Sequence, residues 1–169
     1  MKFLDGIFVA AIVGALVAAP LLLFYGIPFL RGLSRGAPRK IGIVSLFGMA
    51  ISVLVGFGAA STSQDISRTY VKSKLASPSD YSQISINGAP TRNPKEVLSV
   101  LKTLDQLPAH HSNPTKKIKI EVSSQGESLV LLVARDSGDP REYWVFYPKY
   151  LVTANNEIGR IKTSLFDVY

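Results

Sequence analysis

The apolar positions of this chain follow two regimes. From Gly6 to Leu30, 25 consecutive residues carry no charge, and from Ile41 to Ala60 another 20 do the same. As a helix with a rise of about 1.5 Å per residue, the first run spans about 37 Å, enough to cover a hydrocarbon core of about 30 Å. Both are read as transmembrane helices, over residues 4–30 and 41–62, with Pro20 as a kink in the first and Pro28 near its end. A buried soluble hairpin would need a thick shell of other elements, which the rest of the chain can hardly supply. A cleaved signal peptide would stop near "VAAP", but the apolar run continues through "LLLFYGIPFL", past a usual signal core of about 7 to 15 residues.

Beyond residue 64 the pattern changes to alternation. Residues 65–78 either prolong the second helix above the membrane or form a plain linker, and residues 79–169 make a soluble domain. "YSQISIN" alternates and stops at Asn87-Gly88, which predicts a strand followed by a turn. "NPKEVLSVLKTLDQL" begins with Asn93 as cap, Pro94 at the first helical position and Glu96 in the first turn, and puts Val97, Leu98, Leu101 and Leu104 on one face. "KIKIEVS", "SLVLLVARD" and "YWVFYP" are joined by short turns and predict an antiparallel meander; "NEIGRIKTSLF" adds a short last strand or a turn. The expected architecture is a two-helix transmembrane hairpin plus a small α+β domain. Its three- to four-stranded antiparallel sheet carries one amphipathic helix on one face, in the order strand-helix-strand-strand-strand.

Charge sharpens this division. Residues 1–64 hold only Lys2, Asp5, Arg31, Arg35, Arg39 and Lys40 as ionised groups, whereas residues 65–169 hold 14 basic and 11 acidic side chains. The basic segment 31–40 is expected to stay cytoplasmic, which places both termini and the soluble domain outside, in a multi-pass protein of the inner membrane. The tally itself is tied, because Lys2, Arg68, Lys72 and Lys74 flank the other helix ends; the directness with which Arg31 and Lys40 abut the spans breaks the tie. The excess of three positive charges on the exposed domain, interspersed with acids, argues against nucleic acid as a partner. With no cysteine, the chain has no thiolate for zinc, iron-sulfur clusters or thiol catalysis.

Small residues recur every four positions in both spans: Ala10, Gly14 and Ala18 in the first, Gly48, Ser52, Gly56 and Ala60 in the second. Such stripes let another helix backbone approach closely. The other helix of the hairpin is the simplest occupant, and a membrane-protein partner or a second copy is the sharper one. Beyond Asp5 at the edge, neither span has an ionisable residue, which disfavours a channel or transporter. The lipid bilayer is thus the first expected partner.

Two clusters in the soluble part are candidates for recognition. "AHHSNPTKKIKI" joins His110 and His111 to Lys116, Lys117 and Lys119. Two adjacent histidines fall short of the three or four ligands that a metal needs, so no metal or other cofactor is expected, although His110 and His111 are the only weak metal candidates. "EYWVFYPKY" gathers Tyr143, Trp144, Phe146, Tyr147 and Tyr150, with Tyr143 and Tyr147 alternating against Trp144 and Phe146. One set faces a core; the other is either exposed, where it would stack on sugars or dock a peptide, or packed as well. The function expected from these features is a non-catalytic, membrane-anchored binding or assembly module of the bacterial envelope, whose domain recognises a protein, peptide or glycan. The alternatives are an envelope hydrolase or metal-dependent enzyme using the His110-His111 loop and, more weakly, a sensor of envelope pH or lipid state.

Overall fold

The computed structural model describes residues 2–21, 23–24, 39–76, 83–108, 111–124 and 127–169, which fall into two compact units, Met1–Ser63 and Gln64–Tyr169. The first unit pairs helix α1 (Lys2–Leu21) with the N-terminal part of helix α2 (Arg39–Ala76). Ala11 meets Gly56 and Gly14 meets Ser52, so the two helices run antiparallel. A Cβ added to Gly14 would lie 2.8 Å from Ser52 Oγ, and one added to Gly56 would lie 3.2 Å from Ala11 Cβ. At both glycines a side chain of the other helix therefore packs directly where a Cβ would stand. Pro20 sits in the last turn of α1, while Pro28 and residues 31–38 of the basic loop lie outside the described residues.

The seam departs from the expected four-residue stripes. Ala10 is exposed and Ala11 takes its place, with Gly14 and Ala18 following. On α2 the seam runs through Ser52, Gly56 and the buried Ala59, whereas Gly48 has open space where a Cβ would be and Ala60 is half-buried. The reason is angular. A residue every four positions advances about 400°, so the stripe drifts about 40° round the helix at each step. Alternating steps of three and four keep small residues facing a nearly antiparallel neighbour.

Lys2–Leu21 and Leu46–Ala76 are long and apolar enough to cross a membrane. Their large side chains point away from the seam: Leu16 is 66% exposed, Leu54 72% and Phe57 74%.

The second unit is built on a six-stranded antiparallel sheet in the order β2-β1-β3-β4-β5-β6. Its strands are β1 (Gln83–Ile86), β2 (Ala89–Pro90), β3 (Pro114–Ser124), β4 (Glu127–Asp136), β5 (Glu142–Phe146) and β6 (Gly159–Lys162). β1 and β2 turn through Asn87 and Gly88, whose φ values of 51° and 85° are the left-handed pair that a two-residue hairpin requires. Across the sheet, Ile120 faces Leu131, Ile118 faces Val133, and Val133 faces Val145. Together with Ile84, Ile86 and Ile161 these residues form one buried face, each side chain contributing about 1.5–3 kcal/mol of burial.

Two helices cover that face. Helix α3 (Pro94–Lys102) starts with Pro94 after Asn93 and buries Val97 and Leu101; the Asn93 amide donates to Glu96 at 3.2 Å rather than capping a backbone N–H. The other is the end of α2, which remains helical to Ala76 and puts Val71 and Leu75, one turn apart, into the same core. Of the two expectations for residues 65–78, helix is the outcome as far as Ala76; residues 77 and 78 lie outside the described residues. Polar contacts fasten this stretch: Gln64 Nε2 donates to the Glu157 carbonyl at 2.9 Å, Arg68 Nε to the Ile158 carbonyl, and Lys74 pairs with Glu127.

The expected sheet of three to four strands is thus too small. β2 is two residues long and contains Pro90, so it has no period to detect, and β6 carries charged Arg160 and Lys162 on the side opposite Ile161. A short helix α4 (Leu151–Asn155) also precedes β6.

Candidate functional site

The sheet's other face holds an unusual density of buried polar groups. Alternation places Asp136 of β4, Glu142 and Trp144 of β5 and Arg160 of β6 on this side, with Trp144 paired to Ala134 and to Arg160. Glu142 and Arg160 are fully or nearly fully buried. Arg160 donates to Glu142 Oε1 at 2.8 Å and lays its guanidinium 4.1 Å from the centre of the Trp144 ring. It also reaches the Pro108 carbonyl and Glu157 Oε1, both at 3.4 Å.

Asp136 is the second centre. Its Oδ1 accepts from the backbone N–H groups of Gly138 at 2.6 Å and Asp139 at 2.9 Å; its Oδ2 accepts from Ser112 Oγ at 2.5 Å and Trp144 Nε1 at 2.6 Å. Burial alone would raise this carboxyl's pKa, but the four donors outweigh it and hold the group well below the usual carboxylate range.

These contacts define the path of the segment after α3. Asp105 pairs with Arg160 along the β6 edge, Pro108 meets the Arg160 side chain, and Ser112 meets Asp136 on β4. Asn113 and Ser137 then exchange backbone and side-chain hydrogen bonds at 3.0 Å, and β3 begins at Pro114. Residues 105–108 therefore lie against β6, and residues 112–113 against the end of β4. Gly159 allows the first approach, because a Cβ there would lie 2.7 Å from the Asp105 carbonyl oxygen.

The sequence candidates are distributed around this cluster. His111 is exposed, and His110 lies outside the described residues. Ser112 and Trp144 share Asp136 Oδ2, so the histidine-bearing segment and the aromatic strand do meet on one surface. The three lysines are all exposed but do not form one basic edge. Lys117 lies 4.0 Å over the Phe146 ring and donates to the Ala154 carbonyl, Lys119 pairs with Glu121 at 3.0 Å, and Lys116 lines a cleft with Ile118 and Val133 on the opposite side of the sheet. Strand alternation divides them.

The aromatic residues do not form an exposed row. Tyr143, Phe146 and Tyr147 are buried, and Trp144 and Tyr150 are half-buried. Tyr143 packs edge-on against Phe166 and donates to Asp167, and Tyr147 sits between Tyr70 and Tyr150. Burial raises the pKa of Tyr143 to about 12, helped by the Asp167 carboxylate, and burial likewise raises that of Tyr147.

Asp136, Glu142 and Arg160 escaped the reading of the sequence. One signal was present: in "EYWVF", the alternation that puts Trp144 and Phe146 together also puts Glu142 with them. Chemically, the cluster is a latch. The acceptor sites of Asp136 are filled by donors, and Glu142 is neutralised by Arg160 with Lys162 at 3.7 Å. Among the described residues, no group of three or more His, Asp or Glu is placed to hold a metal ion. Set against known proteins, the chain matches no family model, no curated protein and no solved structure.

Proposed function

We propose that this chain is a membrane-anchored, non-catalytic binding or assembly module of the bacterial cell envelope. In this reading α1 and the first part of α2 span the inner membrane, segment 31–40 is cytoplasmic, and the second unit recognises a protein, peptide or glycan outside. The supporting observation is the surface of the hairpin. Two helices of membrane length touch through Ala11, Gly14, Ser52 and Gly56 while Leu16, Leu54 and Phe57 face outward, an apolar exposure that water disfavours and lipid does not. The commitment of Asp136 and Glu142 to internal partners supports a binding role over general acid–base chemistry, which needs a carboxyl within reach of a substrate.

The seam also redirects the search for a partner. Gly14, Ser52 and Gly56 are occupied within the hairpin, so a membrane partner has to meet the outward faces. Photo-crosslinking groups at Leu16 and Leu54 in native membranes should capture either a second copy or one defined protein; capture of neither overturns the assembly reading. The chain has no cysteine, so a single Ser164→Cys variant reports topology cleanly. Labelling of intact cells by a membrane-impermeant thiol reagent is expected, and labelling only after lysis reverses the orientation.

A further inference from the structure

The turn between β1 and β2 carries chemistry of its own. Of the chain's five asparagines, Asn87 alone precedes a glycine; Asn93 and Asn113 precede prolines, whose nitrogens have no proton to lose, and Asn155 and Asn156 precede bulkier residues. A glycine nitrogen, unhindered by any neighbouring Cβ, is the main-chain nucleophile that most readily attacks an asparagine side chain. Both Asn87 and Gly88 are exposed, with open space where a Cβ on Gly88 would be. Against this reactivity stands a clamp. The Asn87 backbone N–H donates to the Lys119 carbonyl at 2.8 Å, and the Lys119 N–H donates to Asn87 Oδ1 at 2.9 Å. Main chain and side chain of Asn87 are thus both tied to β3. Its φ of 51° is fixed by a turn with room for two residues between the paired Ile86 and Ala89, so its Cγ cannot swing over the Gly88 nitrogen while these bonds stand.

We propose that Asn87 is a site of spontaneous deamidation that the fold keeps shut, reacting only when the β1–β2 hairpin lifts off β3. In the open hairpin hydroxide takes the Gly88 amide proton, the nitrogen attacks Asn87 Cγ, and the side-chain amide leaves as ammonia, closing a succinimide ring. Water then opens the ring at one of its two carbonyls, so the net reaction consumes one water and releases one ammonia. Attack at Cγ gives aspartate. Attack at the α-carbonyl gives isoaspartate, in which the main chain runs on through the side-chain carbons. The two products differ in what they leave of the sheet. Aspartate keeps an oxygen for the Lys119 N–H, and the hairpin closes again. Isoaspartate adds a methylene to a two-residue turn, which breaks the register of Ile86 with Ala89 and frees β2. The inference goes beyond the proposed function and uses neither the membrane hairpin nor a partner.

The test ages the full chain in detergent micelles at mildly alkaline pH, with and without unfolding urea, and follows the tryptic peptide 75–92, in which Asn87 is the only asparagine. Mass spectrometry reports deamidation, and a protease that cleaves before aspartate but not before isoaspartate separates the products. Conversion of the folded chain is expected to be about tenfold slower or more, the factor that corresponds to breaking two ordinary hydrogen bonds before reaction. Lys119→Pro deletes the N–H that holds Oδ1 and should raise the folded rate towards the unfolded one, with Trp144 fluorescence unchanged. Equal rates in the folded and unfolded parent, or a natively fluorescing Lys119→Pro as slow as the parent, overturn the proposal; if Lys119→Pro unfolds, the ratio measured on the parent decides. Asn87→Asp should melt like the parent and the purified isoaspartate form below it, and a parent-like melt of the isoaspartate form refutes the assigned effect on β2.

Discussion

Replacing Asp136 by asparagine tests the latch directly. The substitution keeps the side chain's shape but turns one accepting oxygen into an NH2 donor. If the amide nitrogen takes the Oδ2 position, Trp144 Nε1 at 2.6 Å and Ser112 Oγ at 2.5 Å both lose their acceptor. The serine hydroxyl can rotate and accept from the new amide; the indole N–H has no such freedom. The alternative flip strips Gly138 and Asp139 of theirs, which is no cheaper. With hydrogen bonds to a charged group contributing about 1.5–3 kcal/mol each, the expected loss is about 2–4 kcal/mol. The pH dependence follows the depressed pKa of Asp136. The unfolded chain takes up this proton near the ordinary value of 3.8 and the folded one only at lower pH, so the stabilisation is complete above that value and declines as pH falls below it. The asparagine variant should lack this acid-side decline. Trp144 is the chain's only tryptophan, so urea unfolding followed by its fluorescence reports both stability and the loss of its own hydrogen bond. A variant within about 0.5 kcal/mol of the parent at neutral pH, the scatter of ordinary surface substitutions, would falsify the latch.

Three further outcomes follow from the same geometry. Gly159→Ala should destabilise the second unit by about 2 kcal/mol or more, because its Cβ would press on the Asp105 backbone; a melting temperature equal to the parent's contradicts that contact. A variant carrying both Ala11→Cys and Gly56→Cys should form an intramolecular disulfide under mild oxidation, since those positions face each other across the seam. The Ala10→Cys and Gly48→Cys pair should not, and equal crosslinking of both pairs rejects the seam. Tyr143 keeps its proton to about pH 12 when folded, so its contribution is complete below about pH 10 and is lost as pH rises towards 12. Unfolding of Tyr143→Phe should show a shallower alkaline decline than the parent, and identical slopes would count against the Asp167 contact.

What could be read before the structure was local. Asn93-Pro94 announced α3, Asn87-Gly88 announced a hairpin, and Ile118, Ile120 and Val122 announced the buried side of β3, because each depends on a few adjacent residues. The hairpin's small residues were visible, but their phase was not: choosing Ala11 over Ala10 requires the accumulated rotation of a real helix. The polar cluster lay furthest from view. Ser112, Asp136, Trp144 and Arg160 are brought together by strand register and by the segment after α3, and neither is encoded in any short window. The lysines mark the opposite error, since neighbours in sequence proved to lie on two sides of a sheet.

The contribution of α2 to the second unit also bears on how such a protein is turned over. Val71 and Leu75 are walls of the core, held by Arg68 and Lys74 contacts to other elements, so a proteolytic cut within residues 64–76 strikes the core of this unit rather than its surface. A fragment starting at residue 79 would expose the sheet where those side chains packed, at a cost of about 1.5–3 kcal/mol for each. Loss of residues 64–76 therefore leaves an incomplete core behind.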